Sequence, residues 1–283
     1  MKRNFNYQND KSTLYIVPTP IGNLDDITLR ALNVLKSVDR IYAEDTRVTL
    51  KLMSHFDIKK PIDSLHEHNE SMKSETVIQL LNDGMNIAIV SDAGMPLVSD
   101  PGHIVACQAM DAGFNVVALP GANALLPALA MSGMPTHPFL FYGFMDAKSN
   151  KRITQLQALK YRTETLVFYE AIHRISQTLK DLYDILGDRK FVIAREISKS
   201  YEEIIQGRLS EHEEIHDLKG ELVLIVEGYK EEIKHDISII DQVDFFITSG
   251  MKKTEAMKKV SEMTGIPKNT IYQEYLDQKI NKG

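Results

Sequence analysis

Between residues 14 and 226, short apolar runs alternate with stretches in which apolar positions recur every three to four residues. The first run is Leu14-Tyr15-Ile16-Val17, and the stretch after it places Ile27, Ala31, Leu32, Leu35 and Val38 at helical spacing. Further apolar runs predict strands at 41–43, 87–90, 116–119, 140–142, 166–169, 191–194 and 222–226. Helical periodicity predicts helices over 75–81, 104–112, 124–131, 152–160 and 175–186. This alternation is the signature of an α/β fold. The window 116–134 is apolar enough to suggest a membrane span, but Pro120, Gly121, Asn123 and Pro127 interrupt it, so it reads as strand, turn and buried helix.

Breaks in the pattern divide the chain. Gly133-Met134-Pro135-Thr136-His137-Pro138 separates two α/β subdomains, 13–133 and 134–229, behind a polar arm, 1–12, expected to be frayed and disordered. That arm has no apolar core of a secretory signal. Lys230-Glu231-Glu232-Ile233-Lys234 reads as a solvated linker opening a tail, 230–283, with helices expected over 239–247, 253–263 and 269–279. The turn Thr264-Gly265-Ile266-Pro267 gives the last two a helix-turn-helix-like order.

The 283 residues are 43% hydrophobic and 25% charged, which excludes collagen-like, disordered and disulfide-scaffold classes. The single cysteine, Cys107, allows no internal disulfide and no cysteine zinc site, fits a reducing, cytoplasmic setting, and falls in a helical apolar pattern as a small core residue. The net charge of -6 hides an asymmetry: seven lysines against four acids make 251–283 +3, leaving -9 on the rest. A basic tail on an acidic body is compatible with a local nucleic-acid contact.

Candidate chemistry gathers at strand ends, where ligands collect in open α/β sheets. These ends carry Pro18-Thr19-Pro20-Ile21-Gly22-Asn23, Glu44-Asp45-Thr46-Arg47, Ser91-Asp92-Ala93-Gly94-Met95-Pro96 with Ser99-Asp100-Pro101-Gly102, and Pro120-Gly121-Ala122-Asn123-Ala124. Each turn alone also suits a helix cap or a plain strand end, but several in one half of the chain point to a ligand cleft. No dinucleotide fingerprint, P-loop or nucleophile elbow occurs, and Gly250-Met251-Lys252-Lys253-Thr254 reads as a helix start. His66-Glu67-His68 offers two ligands without a third, so no metal site is expected.

The same strings, in order, with Phe168-Tyr169-Glu170, His173-Arg174, Ala194-Arg195-Glu196, Ser198-Lys199 and Lys219-Gly220-Glu221, carry a specific resemblance. From about residue 13 to its end the chain resembles the bacterial small-subunit ribosomal RNA (cytidine-2′-O)-methyltransferase I family of the tetrapyrrole methylase superfamily. Met95 stands where that family usually has Thr, and Ile172 where many members have Pro. The resemblance implies two α/β subdomains with S-adenosyl-L-methionine held between them, a homodimer, and methylation of a cytidine ribose 2′-hydroxyl of 16S ribosomal RNA near the decoding centre of the small ribosomal subunit. It places Pro20, Asp92, Ala93, Gly94, Pro120, Gly121, Ala122, Tyr169, Glu170 and Glu221 around the cofactor. Residues 18–23, Glu44 to Arg47, and Arg195, Glu196 and Lys199 would face the RNA or the reacting ribose.

A neutral ribose hydroxyl is a poor nucleophile, so a positioned base is expected. The candidates are Glu44, Asp45 and Glu196, with Arg47, Arg195 or Lys199 binding phosphate or stabilising the developing alkoxide. A methylase of a tetrapyrrole or other small acceptor shares the expected core, and a non-catalytic ribosome-binding factor could keep the fold without turnover.

Overall fold

In the computed structural model the apolar runs at 87–90 and 222–226 are buried throughout, as strands covered on both faces require, whereas the run at 140–142 is half-buried. The structure describes residues 3, 5, 6, 8–230, 238–248 and 250–280, with side chains in the last helix described through 276. Chain order in the first half is β1 (Thr13–Ile16), α1 (Leu29–Ser37), β2 (Arg40–Ala43), α2 (Thr46–His55), β3 (Ile62–Ser64), α3 (Glu70–Asn82), β4 (Ile87–Val90), α4 (His103–Asp111), β5 (Asn115–Ala118) and α5 (Leu125–Met131). The five strands pair in parallel in the order β3-β2-β4-β1-β5. One apolar layer gathers Leu35, Ile41 and Leu119, and the opposite layer Leu14, Ile89 and Val105. The turns after β1 and β4 therefore leave neighbouring strand ends on the same side, and Thr19 and Gly94 join them by two backbone hydrogen bonds of 2.9 Å.

The second half contains β6 (Phe139–Phe144), α6 (Ser149–Leu159), β7 (Thr165–Glu170), α7 (Ile175–Leu186), β8 (Lys190–Arg195), β9 (Glu203–Arg208) and β10 (Leu222–Val226). Its sheet runs β6-β7-β10-β8-β9, with β6 and β7 parallel and the other pairs antiparallel. Helix α7 buries Ile175, Leu179, Leu182 and Leu186, a stripe at helical spacing, against this sheet's core. Arg152 of α6 meets Asp181 of α7 in a buried ion pair, Nη2 to Oδ2 2.6 Å, and Gln177 donates to the other carboxylate oxygen at 2.8 Å. Both sheets lie in one unit, Met1–Tyr229, and Lys230–Gly283 forms a second.

In the second unit α8 (Ile239–Thr248), α9 (Lys253–Thr264) and α10 (Lys268–Ile280) share a core of Ile240, Val243, Met257, Val260, Ile271 and Tyr275. Gly265 ends α9 in the left-handed conformation that stops a helix. Of the linker expected over 230–234, only Lys230 lies within the described residues.

Three elements depart from the sequence pattern. Helix α2 begins at the Glu44-Asp45-Thr46-Arg47 string, where Asp45 is its N-cap and accepts the Arg47 N–H at 2.8 Å. The strands β3 and β9 are edges whose residues are half-buried or exposed, so neither shows an apolar run. Cys107, expected in the core, lies half-exposed on the side of α4 away from buried Val105, Ala106 and Ala109, with its Sγ 3.5 Å from His103 Nε2. The arm before β1 is tied down at its described residues: Asn9 and Asn115 exchange side-chain hydrogen bonds of 3.1 and 2.8 Å, and Lys11 Nζ donates to the Gly113 carbonyl at 2.7 Å. Met1, Lys2, Asn4 and Tyr7 of that arm lie outside the described residues. Among the described residues no helix is long and apolar enough to cross a membrane; 116–134 falls mainly on β5, a turn and α5.

Candidate active site

A cavity of about 660 Å³ opens where the carboxyl ends of β2 and β4 face the second sheet. Glu44 at the end of β2, the Asp92-Ala93-Gly94 turn after β4, and Asp100 line one wall. Tyr169, Ala194, Leu222 and Val223 line the other, together with Gly220 and Glu221. Both walls belong to the same unit of the chain.

Three carboxylates share the first wall, and their surroundings set them apart from ordinary surface acids. Burial, then the negative charges of Asp92 and Asp45, pushes the Glu44 carboxyl upward. Burial also raises Asp92, and it raises Asp100 to about 6, where the Glu44 charge adds to the effect. Asp45 behaves oppositely. Its side chain takes the Arg47 guanidinium, Nη2 to Oδ2 2.6 Å, and the Arg47 backbone N–H, which hold it down at about 2. Its own N–H donates to Asp92 at 3.0 Å, so Asp45 positions the acid wall without lining the cavity.

Of the residues expected around a cofactor, Asp92, Ala93, Gly94, Tyr169, Glu170 and Glu221 line the cavity. Pro20, Pro120, Gly121 and Ala122 do not; Ile21, Asn123 and Ala124 beside them do. The Glu170 carboxylate is fully buried and occupied by Arg174, by the Thr178 hydroxyl at 2.7 Å and by the Ala171 N–H at 2.7 Å, so its side chain braces α7. Of the residues expected to do chemistry, Glu44 alone lines the cavity, while Asp45, Arg47, Glu196 and Lys199 do not.

Glu196 and Lys199 form a strut beside it. Lys199 Nζ lies 2.9 Å from both Glu196 and Glu221, and the Glu221 N–H donates to Glu196 at 2.9 Å. That N–H and Lys199 hold the Glu196 carboxyl low. The Lys199 stem lies against the turn after β1, where a Cβ on Gly22 would fall 2.3 Å from its Cγ. Ser198 hydrogen-bonds Asp26 of the same turn, so the β8–β9 loop is fastened to the first half of the chain. Arg195 is likewise paired, with Glu203 at 2.6 Å.

Several lining residues were absent from the expected set, Asp100 and Phe144 among them. Asp100 sat in a string recognised as a turn, but only the fold buries it beside Glu44. Phe144 lies past the apolar run expected at 140–142 and reaches the cavity through an irregularity in β6. Met95 and Ile172 both line the cavity. Among the described residues no group of three acids, histidines or cysteines is arranged for a metal ion, and the His66 and His68 rings stand 6.1 Å apart.

Residues 13–213 match the family model of tetrapyrrole (corrin/porphyrin) methylases. The chain is 44% identical to the ribosomal RNA small subunit methyltransferase I of Bacillus subtilis (strain 168), over 96% of each protein. It is 41% identical to that of Escherichia coli O157:H7, over 98% of this chain and 99% of the relative. Among solved structures it is similar to a diphthine synthase (TM-score 0.61, 15% identity, 77% of this chain and 90% of the other). It is also similar to a uroporphyrin-III C-methyl transferase from Thermus thermophilus complexed with S-adenyl homocysteine (TM-score 0.57, 19% identity, 76% and 97%). At those identities the two structures speak to the fold alone. The likeness along nearly the whole length of the first two relatives goes further, and the chain belongs to the tetrapyrrole methylase family, in its ribosomal RNA small subunit methyltransferase I group.

Proposed function

We propose that the protein transfers a methyl group from S-adenosylmethionine to the 2′-hydroxyl of a cytidine ribose in the 16S RNA of the small ribosomal subunit, near the decoding centre. The observation that carries this reading is the placement of Glu44, an acid raised by burial and then by its acidic neighbours, on the wall of a cavity in a chain similar to rRNA methyltransferases along nearly its whole length.

The cavity suits the cofactor by size and lining. About 660 Å³ falls within the ~300–1,000 Å³ of small-molecule sites. Apolar Ala194, Leu222 and Val223 suit the adenine ring, and the charges of Glu44, Asp92 and Asp100 suit a ligand carrying positive charge. When bound, S-adenosylmethionine supplies a methyl group already activated on a positive sulfur. The protein's remaining work is to hold the ribose oxygen in line, exclude water and take the hydroxyl proton. Glu44 is the base in this reading: its carboxylate accepts the proton as the oxygen acquires the methyl group, and its raised affinity for protons makes it a better acceptor than a surface acid. Asp45, held low by Arg47, orients Asp92 and the start of α2.

Exposed Arg47 and the lysines of the helical tail contact RNA phosphates in this reading, the protein works in the cytoplasm, and two copies form a homodimer. The test is methyl transfer from labelled S-adenosylmethionine to small subunits lacking the modification, followed by mapping of the label. Label on one cytidine 2′-oxygen is expected. Cofactor binding without transfer to subunits or RNA would move the acceptor to a small molecule such as a tetrapyrrole.

A further inference from the structure

The cavity lining divides by exposure. Ala194, Leu222 and Val223 are nearly inaccessible, whereas Val98, Leu126 and Phe144 are 41, 54 and 53% exposed. These three large apolar side chains come from the loop after β4, from α5 and from the edge strand β6. All three line the same cavity while staying exposed, so the fold brings apolar surface to its opening, which marks a contact surface.

Phe144 reaches that opening through a bulge. On a regular strand, residues three apart point to opposite faces. Here β6 pairs Phe141 with Val167 and Phe144 with Tyr169, so three steps on one strand match two on the other. Both phenylalanines consequently pack on Tyr169, with ring centroids 4.9 and 5.6 Å away. Gly143 carries the bulge at φ +78°, and a Cβ there would come 3.2 Å from Ser99 Oγ. Phe144 is thus braced against Tyr169 while more than half of it stays open to solvent.

Resting on the RNA reading above, we propose that Phe144, with Leu126 and Val98 as further exposed lining of the same cavity, is the platform on which the base of the target nucleotide stacks at the cavity mouth. A nucleotide tethered by its chain on both sides is more restricted in reaching the inner wall, and because the reacting atom is its ribose 2′-oxygen and not its base, the base can stay at the rim. A free small ligand has no such restriction and fits the sheltered inner wall. Unstacked bases of single-stranded RNA are characteristically received on aromatic rings, and an edge-braced phenylalanine offers a flat face without having to be ordered on binding.

The experiment compares the full-length wild type with Phe144→Ala, Phe144→Trp and Leu126→Ala. It measures KM for unmodified small subunits at saturating S-adenosylmethionine and, separately, the Kd for S-adenosylhomocysteine by calorimetry. Loss of one stacked base corresponds to a ~5- to 150-fold rise in subunit KM. Phe144→Ala is expected to show that rise with the Kd unchanged, Phe144→Trp to restore KM, and Leu126→Ala to give a smaller rise. An unchanged KM in Phe144→Ala would overturn the proposal, and so would a weakened Kd that accounts for the loss, since the ring would then serve the cofactor. Failure of the wild type to methylate subunits would instead overturn the RNA reading, and this inference with it.

Discussion

Substituting alanine for Gly220 probes the strut that borders the cavity. Gly220 has φ +91°, and a Cβ there would fall 2.2 Å from Oε1 and 2.4 Å from Cδ of Glu196. That carboxylate cannot swing aside freely, because it accepts the Glu221 N–H and the Lys199 ammonium, each at 2.9 Å. Gly84 provides the comparison: its φ is +87°, with nothing within 4 Å of the added carbon. Both substitutions carry the left-handed strain of an L-residue, about 1–2 kcal/mol. Gly220→Ala also displaces a carboxylate from two charge-assisted bonds, each about 1.5–3 kcal/mol when lost. Lys199 is partly open to solvent, so its bond is discounted and the two bonds together count for about 2–3 kcal/mol, which with the strain makes a total of roughly 3–5 kcal/mol. For a unit of this size, about 2–4 °C per kcal/mol turns these figures into a Tm lowered by about 6–20 °C for Gly220→Ala and about 2–8 °C for Gly84→Ala. Thermal unfolding followed by circular dichroism reads both. In a Glu196→Ala background the obstructing atoms are gone, and the further cost of Gly220→Ala should fall to the strain alone. Equal shifts for Gly220→Ala and Gly84→Ala, or a penalty that persists undiminished without Glu196, would refute the reasoning.

The other expectations concern the site and its approach. Glu44→Gln should lower kcat by about 10²–10⁴ with little change in affinity for S-adenosylhomocysteine, which lacks the sulfonium charge, while Asp45→Asn should cost far less in single-turnover methyl transfer; comparable losses would remove Glu44 from its role. Asp100 is raised to about 6, so in the empty protein stability falls as pH rises from ~4 to 6, where the unfolded chain gives up this proton and the folded chain still holds it. A cation in the cavity favours the ionised form. Binding of cationic S-adenosylmethionine should therefore tighten from pH 5 to 7 more than binding of S-adenosylhomocysteine, and Asp100→Asn should shrink the difference. Parallel pH curves for the two ligands in the wild type would count against the acid wall. Replacing exposed Lys258 with alanine should weaken subunit binding and flatten its salt dependence by about one unit of slope if the side chain meets a phosphate; an unchanged slope would take Lys258 out of the RNA contact.

Most of the framework was legible because buried strands cannot hide their composition. β4 and β10 are apolar throughout, since both their faces are covered, and the stripe on α7 falls at 175–186 as the periodicity predicts. The edges β3 and β9 were silent for the opposite reason: each has one neighbour and half-open faces, so residues such as Asp63, Gln206 and Arg208 are tolerated there. The turn strings marked the cavity's neighbourhood but not which of their side chains enter it. Phe144 shows why. One extra residue in β6 reverses the inward and outward alternation beyond it, and nothing in Phe141-Tyr142-Gly143-Phe144 announces that shift except a glycine.

Glu44 and Asp45 make the same point for chemistry. As adjacent carboxylates in one motif they were equivalent candidates for the base, and the chain alone offers no ground for choosing. The fold separates them by a single backbone step. The end of β2 delivers Glu44 to the cavity wall, where lost water and two neighbouring negative charges raise its proton affinity. The next residue caps α2, where a guanidinium and an N–H lower the proton affinity of Asp45. A pair of acids driven apart in this way is suited to different work: one is the better proton acceptor, while the other stays ionised and fixes geometry. Asp45 fixes geometry concretely, through the N–H it gives to Asp92, so in the proposed assignment the acid that takes no proton still sets where the acid wall stands.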